Sequence, residues 1–373
     1  MLLAATGIVG SPSTTSETPG WVGFEGGRIT EVGTGGAPRG SESLGDVVLA
    51  PGFIDIQING IDELDFGSVD AVGAAAALDR IAASGCTSCC PTLVTASDDA
   101  YGPMLDAVAG ARHVQGHAAR CAVIGVHLEG PFLGGAPGAH PPELIRPADA
   151  VALERWITRH RNLVRIVTLA PEADQNFAIT RWLARQGIVP AIGHTAADYD
   201  TSIAMIDAGA SLVTHLFNAM SGLHHRAPGV VGAALSDERV TASLIADAVH
   251  VHPAVLAIAA AAKHRVALVT DAVAVGAGHA GGVQLRSGRD GAARLADGTL
   301  AGSTLTMDAA IRTMVGAGVG IDRAIEMATS IPATAVGVAD RGRLEPGMRA
   351  DLVALDRTTL AVEGVWIAGT RVH

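Results

Sequence analysis

Eight short apolar runs, most of them separated by alanine-rich stretches of helical character, are the feature that most narrows what this chain can fold into. They are FIDIQI from Phe53, TSCCPTLV from Thr87, AVIGVHL from Ala122, VRIVTLA from Val164, IVPAIG from Ile188, SLVTHL from Ser211, VTASLIA from Val240 and RVALVT from Arg265. Helical candidates between them include VGAAAALDRIAAS, DQNFAITRWLARQ, TSIAMIDAGA and PAVLAIAAAAKH. Strands buried on both faces read as continuous apolar runs, and alternation with helices is the pattern of a parallel sheet. Eight such units predict an α/β fold, a (β/α)8 TIM-type barrel, with a doubly wound open sheet as the alternative.

The flanks have a different texture. Residues 1 to about 50 are rich in Gly, Ser and Thr and carry short β-like pieces such as WVGFEGG and RITEVG. After the eighth run, GRDGAARLADGTLAGS reads as a β-hairpin excursion, followed by helices near Met307 to Met314 and Asp322 to Thr329. From Leu344, ADLVALD and GVWIAGTRV return to β texture. The expected organisation is a barrel over 51–343 and a small β-sandwich domain assembled from 1–50 and 344–373.

The 373 residues are ample for a large core, and 46 glycines with only 3% aromatics suit tight turns and close helix-to-strand contacts. A net charge of −11 argues against nucleic acid or an anionic membrane as the main partner. No apolar run reaches membrane-span length, and MLLAATGIVG lacks the basic start of a signal peptide, so the chain reads as cytoplasmic. Cys86 and Cys89 form a CxxC beside Cys90, with Cys121 further on. No second cysteine pair completes a zinc site, and the surrounding strand pattern makes buried small side chains the expected role.

Unusual polar residues fall at or just past the carboxyl ends of different strands: Gln57 and Asn59, Glu129, His194, His215 and Asp271. In a closed barrel these ends converge on one face, where active sites belong. Glu129, His194 and His215 have the composition of a hydrolytic metal centre, three protein ligands with one position open to water. A cation held there lowers the pKa of bound water from ~15.7 toward ~7. Singly, each histidine also suits a capping or strand-end role; together they point to a metal. Asp271, in LVTDAV, is the expected general base, with a turn or N-cap aspartate as the other possibility. His127 shares the face of Glu129 and is expected to support the site without ligating. Asp55, Gln57 and Asn59 alternate on one face of the first strand, and amides are poor ligands for a transition metal, so a second metal is not expected.

Two loops could meet a substrate. SGLHHRAPG, from Ser221 to Gly229, places Arg226 after His224 and His225, and an arginine fork suits phosphate. A solvated polar loop is the alternative. His250 follows strand seven, and His140, in GGAPGAHPP, could polarise a substrate carbonyl or be a surface histidine.

PGFIDIQING, HLEGPF, GHT, THLFNAM, ADAVH, LVTDA and LAGSTLTM, in that order, resemble the N-acetylglucosamine-6-phosphate deacetylases of the amidohydrolase superfamily. The resemblance runs from about Pro51 to the C-terminal β segment. It implies a homodimer of barrel subunits that removes acetate from N-acetylglucosamine 6-phosphate, giving glucosamine 6-phosphate in amino-sugar catabolism and recycling. It implies Glu129, His194 and His215 as metal ligands and Asp271 as the acid/base; a site of two histidines and a glutamate takes one divalent ion, zinc first with iron or cobalt as alternatives. By the same resemblance, Ala139 and His140 meet the substrate, His140 at its carbonyl. Asn218 and Ala219, Asp247, Ala248, Val249 and His250, and Leu300, Ala301 and Gly302 would complete the substrate site. Arg226 would bind phosphate in the neighbouring subunit's site. Some members carry His-x-His after strand one and bind two metals; Gln57 and Asn59 match the single-metal pattern. The loop from Leu133 to Ala139 is short on charged or bulky residues. Deacetylation of another hexosamine phosphate, such as the galactosamine epimer, or an inactive scaffold are the competing readings.

Overall fold

The computed structural model of the chain describes residues 1–114, 119–280, 283–288 and 290–373. All eight apolar runs contribute parallel strands: β1 (Phe53–Ile58), β2 (Cys86–Val94), β3 (Val126–Glu129), β4 (Val164–Leu169), β5 (Val189–Ile192), β6 (Leu212–Val213), β7 (Thr241–Ile245) and β8 (Val266–Val269). They pair in chain order, each with the next. The seam between β8 and β1 is joined at its carboxyl end, where Asp271 N donates to Gln57 O at 2.9 Å and Asn59 N to Ala272 O at 2.8 Å. These bonds bring the last strand back to the first, so the fold is the TIM-type barrel and not the open sheet.

Burial explains the apolar runs. Every residue of β1 is buried. Asp55 and Gln57 point to the barrel interior and the seam, while Phe53, Ile54, Ile56 and Ile58 join the main hydrophobic core. The first helix, α1 (Ala71–Ala83), starts where the Asp70 side chain accepts from Val72 N and Gly73 N, relieving two of the helix's unpaired donors. It buries Ala74, Ala77, Leu78 and Ile81, the three-to-four spacing of one helix face. Alanine at that face lets helix and strand approach closely.

The expected third strand is interrupted. Ala122–Val123 pairs with β2, then pairing resumes at β3. Between Cys89 and Thr92 of β2 lie three steps, against four between their partners Val123 and His127, a one-residue bulge. Gly125 sits in it, where a β-carbon would lie 2.3 Å from that of Arg165, too close for any other residue. The excursion after β8 forms two short antiparallel pairs, His279–Ala280 with Val283–Gln284 and Arg286–Ser287 with Ala293–Arg294. Arg289, within the expected hairpin, lies outside the described residues.

Both ends of the chain meet in a small β-sandwich. Its four-stranded sheet comes from the N-terminal segment alone; in the five-stranded one, Val47–Pro51 pairs antiparallel with Leu352–Asp356. Leu3, Ile8, Val22, Phe24 and Leu49 pack with Leu344, Leu352 and Trp366 in a core of their own. Among the described residues, no helix is long and apolar enough to cross a membrane.

Candidate metal centre and active site

At the carboxyl end of the barrel the backbone leaves several strands in a sterically restricted conformation. His194, His215 and Asp271 have φ of 51°, 32° and 48°, the left-handed region that costs a non-glycine residue free energy. Neighbouring strands hold them there: His215 N donates to Ser243 Oγ at 2.7 Å, and Asp271 N is held by Gln57 O across the seam. This turn aims the side chains inward instead of leaving them on the barrel wall.

Three of those side chains converge. Glu129 Oε1 lies 3.1 Å from His194 Nε2 and 3.0 Å from His215 Nε2, and the two imidazole nitrogens are 3.0 Å apart. All three residues are buried, at most 4% exposed. Two ring nitrogens and a carboxylate oxygen aimed at one point bring electron pairs together that a shared cation would neutralise. His194 Nδ1 contacts Pro137 O at 3.1 Å, and a carbonyl can only accept, so Nδ1 carries the proton and Nε2 presents its lone pair. Donor type, number and convergence therefore fit a divalent metal ion.

Asp271 stands beside this cluster. Asn59 Nδ2 donates to its Oδ1 at 2.7 Å, and Gln57 Nε2 reaches both Asp271 Oδ1, at 3.2 Å, and Glu129 Oε1, at 3.0 Å. Gln57 and Asn59 are thus the donors that orient the two carboxylates. Burial, then the Glu129 charge, raises Asp271 to about 6. Burial works to raise Glu129, and the adjoining His194 and His215 imidazoles outweigh it, holding Glu129 well below the usual carboxylate range.

His140 Nδ1 lies 2.7 Å from Thr95 Oγ1, and its ring meets that of His194 edge-on. Burial and the neighbouring His194 push its pKa down to about 3, so it is neutral. His127 lies beside these donors, with Nδ1 donating to Ile56 O at 3.1 Å and Nε2 bonded to Thr168 Oγ1 at 2.7 Å. Both its nitrogens are engaged away from the convergence point. His250 Nδ1 bonds to Asp247 Oδ2 at 2.7 Å.

A cavity of about 310 Å³ opens above the cluster. Of the residues singled out from the sequence, Asn59, Glu129, Ala139, His140, His194, His215, Asn218, Ala219, His250, Asp271, Leu300, Ala301 and Gly302 line it. Asp247 sits behind His250, and Ala248 and Val249 are outside the lining. Arg226 is also outside it, on an exposed loop with its guanidinium 2.8 Å from His225 Nε2. Thr95 and the Pro137 carbonyl were not foreseen; no local pattern marks a threonine or a carbonyl that meets a histidine some 45 or 57 residues away.

A barrel with three convergent donors, a carboxylate beside them and an open cavity above defines a hydrolase of the metal-assisted barrel class. The chain belongs to the amidohydrolase family, whose signature matches residues 48–372. It is 40% identical over 338 residues to the N-acetylgalactosamine-6-phosphate deacetylase of Escherichia coli O157:H7, covering 86% of this chain and 87% of that one. It is also 40% identical over 348 residues to the N-acetylglucosamine-6-phosphate deacetylase of Bos taurus, with 87% and 83% covered. The structure of a mutant N-acetyl-D-glucosamine-6-phosphate deacetylase from Mycobacterium smegmatis, in complex with N-acetyl-D-glucosamine-6-phosphate, superposes with a TM-score of 0.92 at 35% identity, over 100% of this chain and 99% of that one.

Proposed function

We propose that this protein hydrolyses the acetamide of N-acetyl-D-glucosamine 6-phosphate to D-glucosamine 6-phosphate and acetate. The observation that carries the reading is the placement of Asp271 beside the Glu129, His194 and His215 donors at the floor of one cavity. A divalent ion held by those three residues, zinc in the first instance, would supply Lewis-acid polarisation and a lowered water pKa. Asp271 takes the proton of the attacking water and passes it to the departing amine. Asn59 and Gln57 hold the carboxylate in position for both transfers. With Thr95 donating to Nδ1, the His140 Nε2–H is left to donate to the acetyl oxygen as negative charge builds there.

Ala139, Asn218, Ala219 and the Leu300 to Gly302 segment contact the sugar, and Asp247 to His250 close the opposite side. Arg226, outside its own cavity, serves the phosphate in the neighbouring subunit of a homodimer. The barrel at 51–343 carries the chemistry, while 1–50 and 344–373 form the small β domain, and the enzyme works in the cytoplasm.

A second reading has support in its own right: the Escherichia coli relative named for the galactosamine epimer is as similar as the glucosamine enzyme of Bos taurus. An acetate-release assay on N-acetylglucosamine, its 6-phosphate and N-acetylgalactosamine 6-phosphate tests both. Turnover is expected on the first 6-phosphate with little on the unphosphorylated sugar. Faster turnover of the galactosamine phosphate would reverse the assignment, and no acetate from any of the three would end it.

A further inference from the structure

Among the described residues, β4 is the only barrel strand whose carboxyl end puts nothing into the cavity lining. The end of β4 is nonetheless occupied by a carboxylate with unusual connections. Glu172, in the short turn Pro171–Ala173, accepts from Thr195 Oγ1 at 2.5 Å, from Ala196 N at 2.8 Å and from Gly135 N at 3.3 Å. Thr195 and Ala196 directly follow His194, and Gly135 lies in the loop that carries Ala139 and His140. Gly134 is shaped to this arrangement: a β-carbon there would lie 2.6 Å from Glu172 Cδ and Oε2. Gly134 N also donates to His194 O at 2.9 Å, so the two loops are laced on both sides of the glycine.

We propose that Glu172 is a positioning residue whose carboxylate staples the loop after β3, carrying His140, to the loop after β5, beginning at His194. Its action on turnover rests on the deacetylase reading of the cavity; the staple itself does not. Glu172 is exposed, so removing it leaves no buried charge unpaired and the fold is expected to survive. His194 keeps its contacts to Pro137 O and Glu129, so metal binding is expected to survive as well.

The test uses the full-length metal-loaded protein. Glu172→Ala is expected to lower kcat about 10- to 100-fold, the effect of a small misplacement near reacting atoms, with KM, metal content and thermal midpoint close to wild type. Glu172→Gln keeps an oxygen for the Ala196 amide and an NH2 for Thr195 Oγ1, and is expected to restore kcat to within about threefold. Gly134→Ala, which drives the carboxylate out, is expected to copy Glu172→Ala, and the double variant to be no worse than either single. Amide hydrogen exchange of residues 133–140 and 194–197 is expected to quicken in Glu172→Ala. Unchanged exchange there would overturn the staple whatever the substrate proves to be. Unchanged kcat with quickened exchange would overturn the role in turnover, and an inactive wild type would fail the deacetylase reading alone.

Discussion

Among the described residues, the barrel buries a cluster of cysteines and a cluster of one carboxylate and two imidazoles, and the two are built differently. Cys86, Cys89 and Cys90 in β2 with Cys121 are all free and buried, and burial pushes the Cys90 and Cys121 thiols well above their usual range. Protonated thiols packed in an apolar core are small hydrophobic side chains; ligation needs the thiolate. Glu129, His194 and His215 are just as buried, yet their donor atoms point at one another and a cavity opens above them. Residue type proposes a ligand, whereas convergence and an open side make a site.

That contrast can be broken by experiment, and the largest effect belongs to the donors themselves. His215→Ala is expected to reduce metal content to well below one per chain by elemental analysis and activity by at least about 10⁴-fold, since both the cation and its polarisation are lost. Retention of full metal and activity would move the centre elsewhere. Asp271→Asn comes next, with metal retained and kcat reduced about 10²- to 10⁴-fold, because only proton transfer is removed.

A buried carboxyl at the seam sharpens the comparison through pH. Asp55 accepts from Thr270 Oγ1 across the β1–β8 seam, and burial raises its pKa to about 7. The folded chain therefore keeps a proton that the unfolded chain has lost. The resulting stabilisation is complete below the ordinary value of 3.8 and fades as pH rises through about 7. Denaturant unfolding is expected to show wild type losing roughly 2 kcal/mol from pH 5 to pH 7 relative to the trend of Asp55→Asn. Parallel trends in the two proteins would show that Asp55 does not titrate in this window. The smallest effect is expected at the thiols: Cys89→Ala should cost about 1 kcal/mol of stability with metal content and kcat unchanged. Loss of metal in that variant would turn the packing cluster into a site.

Much of this was readable along the chain. β5 and β8 are visible because strands covered on both faces must be apolar nearly throughout, and Glu129, His194, His215 and Asp271 stand out as polar residues where such runs stop. The bulge at Gly125 was not visible, because it answers to the side chain of Arg165 on the next strand. Arg226, read as serving a neighbouring subunit's site, lies on an exposed loop outside its own chain's cavity.

By itself, the amino-acid sequence determined how many strands the barrel has, which polar residues stand near their ends and which carry ionisable groups, since apolar periodicity and turn chemistry act over a few neighbouring residues. Tertiary structure alone decided that Glu129, His194 and His215 share one point, and that Gln57 and Asn59 donate to the site's carboxylates. It also decided that Glu172 reaches two loops at once. These facts depend on closure of the ring, which sets residues 72 positions apart, such as Gln57 and Glu129, within 3.0 Å of each other. No local pattern encodes such a distance.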